Sequence, residues 1–305
     1  MDWIIAALLS AVFISAYNII RKKTLAKEHA LEYLAVYSFF CFLLVLPFMP
    51  KINFALPLSI WILILFKSII TSTGFYMMTK AIRHIELSSV APLALLTPLF
   101  LVFISYFYLN EPLTQNHFFG IILIVLGAYV LEMDHHKAGK SIKDKLKHLA
   151  SPFMVFKHNY YHYVLFGTIL FAFSVTFDKI ILDPKVINLS LPAVSPLTFL
   201  FLFRLFTTII FFSLLSFEYD GLHGVAHGIK NAGGLIFFAA LAFNLGDFFY
   251  YNALTIGLAA LVLPIKRLST LFTTFIGGEI LHEKNILPKS VASVIMIAGV
   301  VVLSL

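Results

Sequence analysis

Along almost the whole chain, apolar stretches of about 17 to 25 residues alternate with short segments that collect the charged residues. A helix rising about 1.5 Å per residue needs such a length to cross roughly 30 Å of hydrocarbon. The pattern predicts ten spans, at residues 3–20, 31–49, 57–79, 86–109, 114–133, 160–182, 191–217, 232–254, 257–281 and 286–305. The first span lacks a basic leader and is followed by Arg21, Lys22 and Lys23 rather than a small-residue cleavage site. It therefore reads as a retained helix.

Composition agrees with this pattern. Of 305 residues, 60% are hydrophobic and only 12% charged, and the mean hydropathy is +0.95. So few polar side chains cannot cover a water-soluble globule of this size, so a soluble enzyme is excluded. The single cysteine, Cys41, excludes an intrachain disulfide framework and a cysteine-rich metal site. The net charge of +7 reads first as orientation rather than as nucleic-acid binding. Loops after the first, third, fifth, seventh and ninth spans, with Lys289 at the start of the tenth span, hold fifteen basic residues, whereas the opposite side holds only Lys51 and Lys185. By the positive-inside rule the basic side is cytoplasmic, so both termini are expected outside, in an inner (plasma) membrane.

Shifted by 172 positions, residues 74–131 align with 246–303 without a gap. Gly74, Ala81, Val90, Pro92, Leu96, Glu111 and Gly127 recur as Gly246, Ala253, Val262, Pro264, Leu268, Glu283 and Gly299. With five spans in each half, the copies enter the membrane in opposite directions, an arrangement that builds a midplane site between the halves. The expected class is thus an all-α integral membrane protein of ten transmembrane helices, arranged as two inverted five-helix repeats. The repeats are residues 1–133 and 159–305, and a basic cytoplasmic linker, 134–158, joins them. Within the linker Ile142, Leu146, Leu149 and Phe153 fall at helical spacing, as in a short surface helix. The nearby His135–His136 pair, with His148, His158 and His162, lacks the acid or cysteine that would complete a metal set.

Two stretches resemble the EamA family of the drug/metabolite transporter superfamily. One is Ala91-Pro92-Leu93-Ala94-Leu95-Leu96-Thr97-Pro98-Leu99-Phe100 running into Leu109-Asn110-Glu111-Pro112. The other is Leu263-Pro264-Ile265-Lys266-Arg267-Leu268-Ser269 running into Leu281-His282-Glu283-Lys284, with Thr270 where the first half has Pro98. The resemblance implies two five-helix repeats and secondary transport of a small metabolite by alternating access, without an enzymatic reaction or a cofactor. The plastid phosphate translocators of the same superfamily are similar in carrying a Lys-Arg pair on the equivalent helix, which implies an anionic ligand for Lys266 and Arg267.

An ionisable side chain at the centre of a membrane costs at least about 2.5 to 3.5 kcal/mol and marks a functional candidate. Lys67, Arg204, Asp247, Lys266 and Arg267 all lie deep in their spans, four cations against one acid. An anion is missing from that set, and a substrate carboxylate or phosphate supplies it. Lys266 and Arg267 point about 100° apart on a continuous helix, so one is expected to face the cavity and the other a neighbouring helix. Arg204 reads either as a ligand contact or as an anchor held by an ion pair. Asp247 is a proton carrier or a counter-ion to Arg204 or Lys266, and Asp178 forms an interfacial pair with Lys179 or a coupling site. Tyr250, Tyr251 and Asn252 share a span with Asp247 and could orient a polar ligand, although aromatics at such positions more often pack. Pro92 and Pro264 each remove a backbone N–H and kink or interrupt their helices. Glu111 and Glu283, near the span ends, read as structural.

The leading functional reading is transport of a small anionic or zwitterionic metabolite, coupled to protons or to a counter-substrate. The alternative is proton-coupled export of cationic or lipophilic compounds. Small multidrug carriers of the superfamily use a glutamate in their first helix, where this chain has Asn18 and no acid. An integral-membrane enzyme would require a reaction centre of the paired-aspartate or H-E-x-x-H kind, which the sequence lacks. The expected partners are the substrate and the lipid bilayer, with no nucleic acid and no metal, in a monomer or homodimer.

Overall fold

A computed structural model describes residues 2–25, 30–84, 96–134, 159–188, 190–218, 222–269, 271–273 and 286–304. The described residues form ten α-helices. In chain order these are α1 (Trp3–Leu25), α2 (Ala30–Val45), α3 (Leu58–His84), α4 (Leu96–Phe107) and α5 (Gln115–Asp134). They continue as α6 (Asn159–Leu182), α7 (Pro196–Glu218), α8 (Leu222–Ile256), α9 (Ala259–Lys266) and α10 (Ile286–Ser304). Six helices carry stretches long and apolar enough to cross a membrane: Trp3–Arg21, Leu31–Lys51, Leu58–Ala81, His162–Leu182, Pro196–Phe217 and Ala232–Ile256. The protein is an all-α, multi-pass membrane protein. Pro92, Glu283 and the 135–158 part of the linker, with His135 and His136, lie outside the described residues.

Polar atoms of a backbone in lipid must be satisfied internally, and helices achieve this within one segment. Small residues then decide how closely the helices approach. α1 and α8 run antiparallel. Phe13 stacks on Phe249, and Tyr17 lies against Phe243. A Cβ added at Gly246 would come within 2.9 Å of Ile14, so a larger residue here would have to displace the Ile14 side chain. α3 and α6 cross in the same manner. Gly74 faces Gly167, and from there outward Thr71 meets Ser174 and Lys67 meets Asp178. The recurrence of glycine at 74 and 246 therefore has a packing cause: each admits a helix from elsewhere in the bundle. α2 packs on α7 and α8, α4 on α6 and α9, and α5 along α10.

Two expected spans differ in form. Residues 191–195 are not helical, and α7 starts only at Pro196, whose fixed φ suits a first helical turn. The stretch expected as one helix from 257 begins as the short α9 and stops at Lys266. Pro264 has no N–H to offer the carbonyl four residues back. The Arg267 amide is then shared between the carbonyls of Leu263 and Pro264, and that of Leu268 bonds Ile265, so the last α-helical bond gives way to tighter three-residue turns. Helical backbone resumes near Ser269, where the Phe272 amide reaches the Leu268 carbonyl.

Candidate functional site

Between α1, α3, α6, α7, α8 and α9 lies a cavity of about 290 Å³, at the small end of the range of ligand pockets, which starts near 300 Å³. Lys67, Asp178, Asp247, Tyr250, Tyr251, Lys266 and Arg267 line it, together with Arg21, Thr71 and Ser174. The sequence thus named seven of these residues and missed three.

At its deep end two carboxylates organise the cations. Asp247, 4% exposed, accepts from Arg204 Nη2 at 2.8 Å on one oxygen and from Lys266 Nζ at 3.0 Å on the other. Arg204 stands behind it and also donates from Nε to Asn244 Oδ1 at 2.8 Å, while Asn244 Nδ2 donates to the Cys41 carbonyl. Every link from α2 through α8 to α7 is thereby satisfied, so the guanidinium is anchored away from the cavity lining. Lys67 Nζ lies 3.1 Å from Asp178 Oδ1. It also stands over the Phe203 ring at 3.1 Å from the centroid, as Lys266 stands over Tyr250 at 3.7 Å. Aromatic faces supply such ammonium groups with part of what water would provide. Thr71 and Ser174 share a hydroxyl–hydroxyl hydrogen bond of 2.6 Å one turn along from the Lys67–Asp178 pair.

Several expectations require correction. Lys266 and Arg267 both line the cavity, because the helix breaks between them and the 100° rule of a continuous helix no longer applies. Asp178 and Lys179 do not pair with each other. On a regular helix neighbouring residues face different ways: Asp178 turns to Lys67, whereas Lys179 donates to Asp183 Oδ2 at 3.0 Å and to the carbonyls of Leu254 and Gly257 at 2.9 and 3.1 Å. Lys179 is therefore a C-cap for α8, placing positive charge where the helix dipole favours it. Asn252 Nδ2 donates to the Phe248 carbonyl of its own helix and is not among the cavity-lining residues. Glu111 accepts the amides of Ala259 at 2.6 Å and Ala260 at 3.1 Å, so a carboxylate from the far side of the sequence caps the N-terminus of α9.

Arg21 was counted with the cytoplasmic loop charges and is instead the last of Ile14, Tyr17, Asn18 and Arg21, a single helical face of α1 turned to the cavity. Its spacing of three, four and seven residues was the available signal. Thr71 and Ser174 sit four residues from Lys67 and Asp178, the same signal on α3 and α6.

Five cations, Arg21, Lys67, Arg204, Lys266 and Arg267, thus share the neighbourhood with two carboxylates, a surplus of three positive charges among the described residues.

A search of curated proteins finds no match. Among solved structures, one crystal structure of a protein matches with a TM-score of 0.70 at 14% identity, covering 98% of each chain. At that identity the likeness speaks for the shared fold over the full length. Residues 1–133 match the model of the EamA-like transporter family, a family of secondary transporters of small molecules and not of enzymes. Over this N-terminal part, just under half of the chain, the sequence is similar to the EamA-like transporter family, and the fold shared with a solved structure continues through the whole chain.

Proposed function

We propose that the protein moves a small anionic or zwitterionic metabolite by alternating access, binding it in the central cavity at Lys266, Arg267 and Lys67. The observation that carries the reading is the surplus of positive charge around a buried chamber of about 290 Å³. A chamber with more cations than carboxylates around it attracts an acidic ligand. Export of a cation fits less well, because both carboxylates at the cavity, Asp178 and Asp247, already hold cations of the protein.

The chain divides into two inverted five-helix repeats, 1–133 and 159–305. Helix packing supports the division. When each of the first five helices is matched to the one five places later, the α1–α8 pair maps onto α6–α3, and α2–α7, α4–α9 and α5–α10 map onto themselves. The cavity lies between the two sets, where repeats of opposite direction rock against each other. It extends along α1 and α3 toward Arg21 and Met78, on the lysine-rich side that the charge bias assigns to the cytoplasm in an inner membrane. Toward the other face the helices are tied by the Lys179 and Glu111 caps and by the Asn53 amide on Thr198 Oγ1. This arrangement supports the reading of an inward-facing state.

The test is a melting screen of the detergent-purified protein against matched sets of anionic, zwitterionic, neutral and cationic metabolites, since binders of the folded state raise the melting temperature by mass action. Acidic compounds are expected to stabilise the wild type, to lose that effect in Lys266→Gln, and to keep it in Asn252→Ala. Stabilisation by cations alone, or an anion effect indifferent to Lys266→Gln, overturns the proposal.

A further inference from the structure

The deep end of the cavity is not its only polar end. At the other end α1 presents Arg21, whose Nη2 reaches Thr79 Oγ1 at 3.4 Å. Its Nε is buried without a hydrogen-bond partner. Tyr17 lies one turn before it, is 2% exposed and lines the cavity, with its hydroxyl among those of Tyr33 and Tyr37 and facing Arg21. Asn18 stands beside both on the same face. Arg21 thus brings a further cation to the chamber wall, away from Lys266 and Arg267, and an acidic ligand group there would pair with it. No acidic side chain lines this end among the described residues, whereas Asp178 and Asp247 both belong to the deep end.

Helix register gives the separation. Ile14 lies against Gly246, beside Asp247, and Arg21 follows Ile14 by seven residues, roughly 10 Å at about 1.5 Å per residue. On α3, Thr79 is twelve residues from Lys67, roughly 18 Å on the same rise.

Resting on the anion reading above, we infer that Arg21, Tyr17 and Asn18 form a second anion subsite, so that the substrate is an elongated molecule with an acidic group at each end. One acidic group sits at Lys266 and Arg267. The other pairs with the Arg21 guanidinium beside Tyr17 and Asn18, and the aromatic rings of Phe75 and Phe171 between the two ends receive an apolar middle. Guanidinium suits the distal role because it holds a carboxylate or phosphate through two donors and keeps its charge when buried.

The experiment uses the full-length protein in detergent and measures binding of linear dicarboxylates from butanedioate to dodecanedioate, each beside its monomethyl ester, which has the same length and one charge fewer. In the wild type, affinity for the diacid is expected to peak at a middle chain length and there to exceed that of its ester by about tenfold or more, the worth of one charge-assisted hydrogen bond. Arg21→Gln should abolish that advantage while leaving ester binding unchanged, and Tyr17→Phe, which keeps the ring, should reduce it. A diacid advantage that survives Arg21→Gln, or one that does not vary with length, overturns the second subsite while ester binding lost in Lys266→Gln leaves the anion reading standing. Failure of every diacid and ester to bind the wild type overturns both.

Discussion

The Lys67–Asp178 pair gives the sharpest quantitative test. Lys67 is 1% exposed and Asp178 4% exposed, with 3.1 Å between their charged atoms. Replacing one member leaves the other charge buried and unpaired, at a cost of about 3 to 5 kcal/mol, whereas replacing both by apolar residues of similar volume is often neutral or better. Asp178→Leu strands the ammonium over the Phe203 ring, a contact worth about 2 kcal/mol when desolvated, which offsets only part of the loss. Lys67→Met strands the carboxylate near Asp247. The two single variants are therefore each expected to lose about 3 to 5 kcal/mol, and the double variant to lose far less than their sum, a coupling of about 3 kcal/mol or more. Denaturant unfolding in one detergent, with slopes compared to confirm a common unfolding reaction, measures the cycle. The same double variant separates fold from function, because it restores stability while removing polar groups from the cavity wall, so uptake into liposomes should stay low. Additivity within about 0.5 kcal/mol would refute the reasoning, since independent groups add to that precision.

Helix packing and orientation supply two more. At Gly299 an added Cβ would fall 2.7 Å from Ile124 Cγ1 and 2.8 Å from the Gly120 carbonyl oxygen, so Gly299→Leu should separate α5 from α10 and cost about 1 to 3 kcal/mol or more by overpacking, seen as a lower unfolding midpoint. A C-terminal reporter that works only in the cytoplasm is expected to stay silent, and a strong signal would reverse the orientation drawn from the loop charges.

How much of this was legible in the residues differs from element to element. Span length and charge scarcity reveal helices and membrane directly, because a bilayer demands a fixed run of apolar side chains. The glycines at 74 and 246 and the prolines recur at one offset, so the repeat is readable without coordinates. The deep charges Lys67, Asp247 and Lys266 are conspicuous for the same reason: in lipid an ionisable group is expensive enough to announce itself. Arg21 escaped because a cation near the end of a span reads as an orientation signal unless the facing helix is known. Asp178 and Lys179 looked like a pair because sequence adjacency hides the turn of the helix between them.

The chain's own order of residues therefore determined the helices, their lipid setting, their doubling and the excess of positive charge. Which cation meets which acid was left to the tertiary structure. Asp247 gathers Arg204 and Lys266 from two other helices, Glu111 caps a helix almost 150 positions away, and the break after Pro264 turns both Lys266 and Arg267 into one chamber. Electrostatic contacts fall off within a few ångströms in space and take no account of distance along the chain, so only the folded arrangement of helices could settle them.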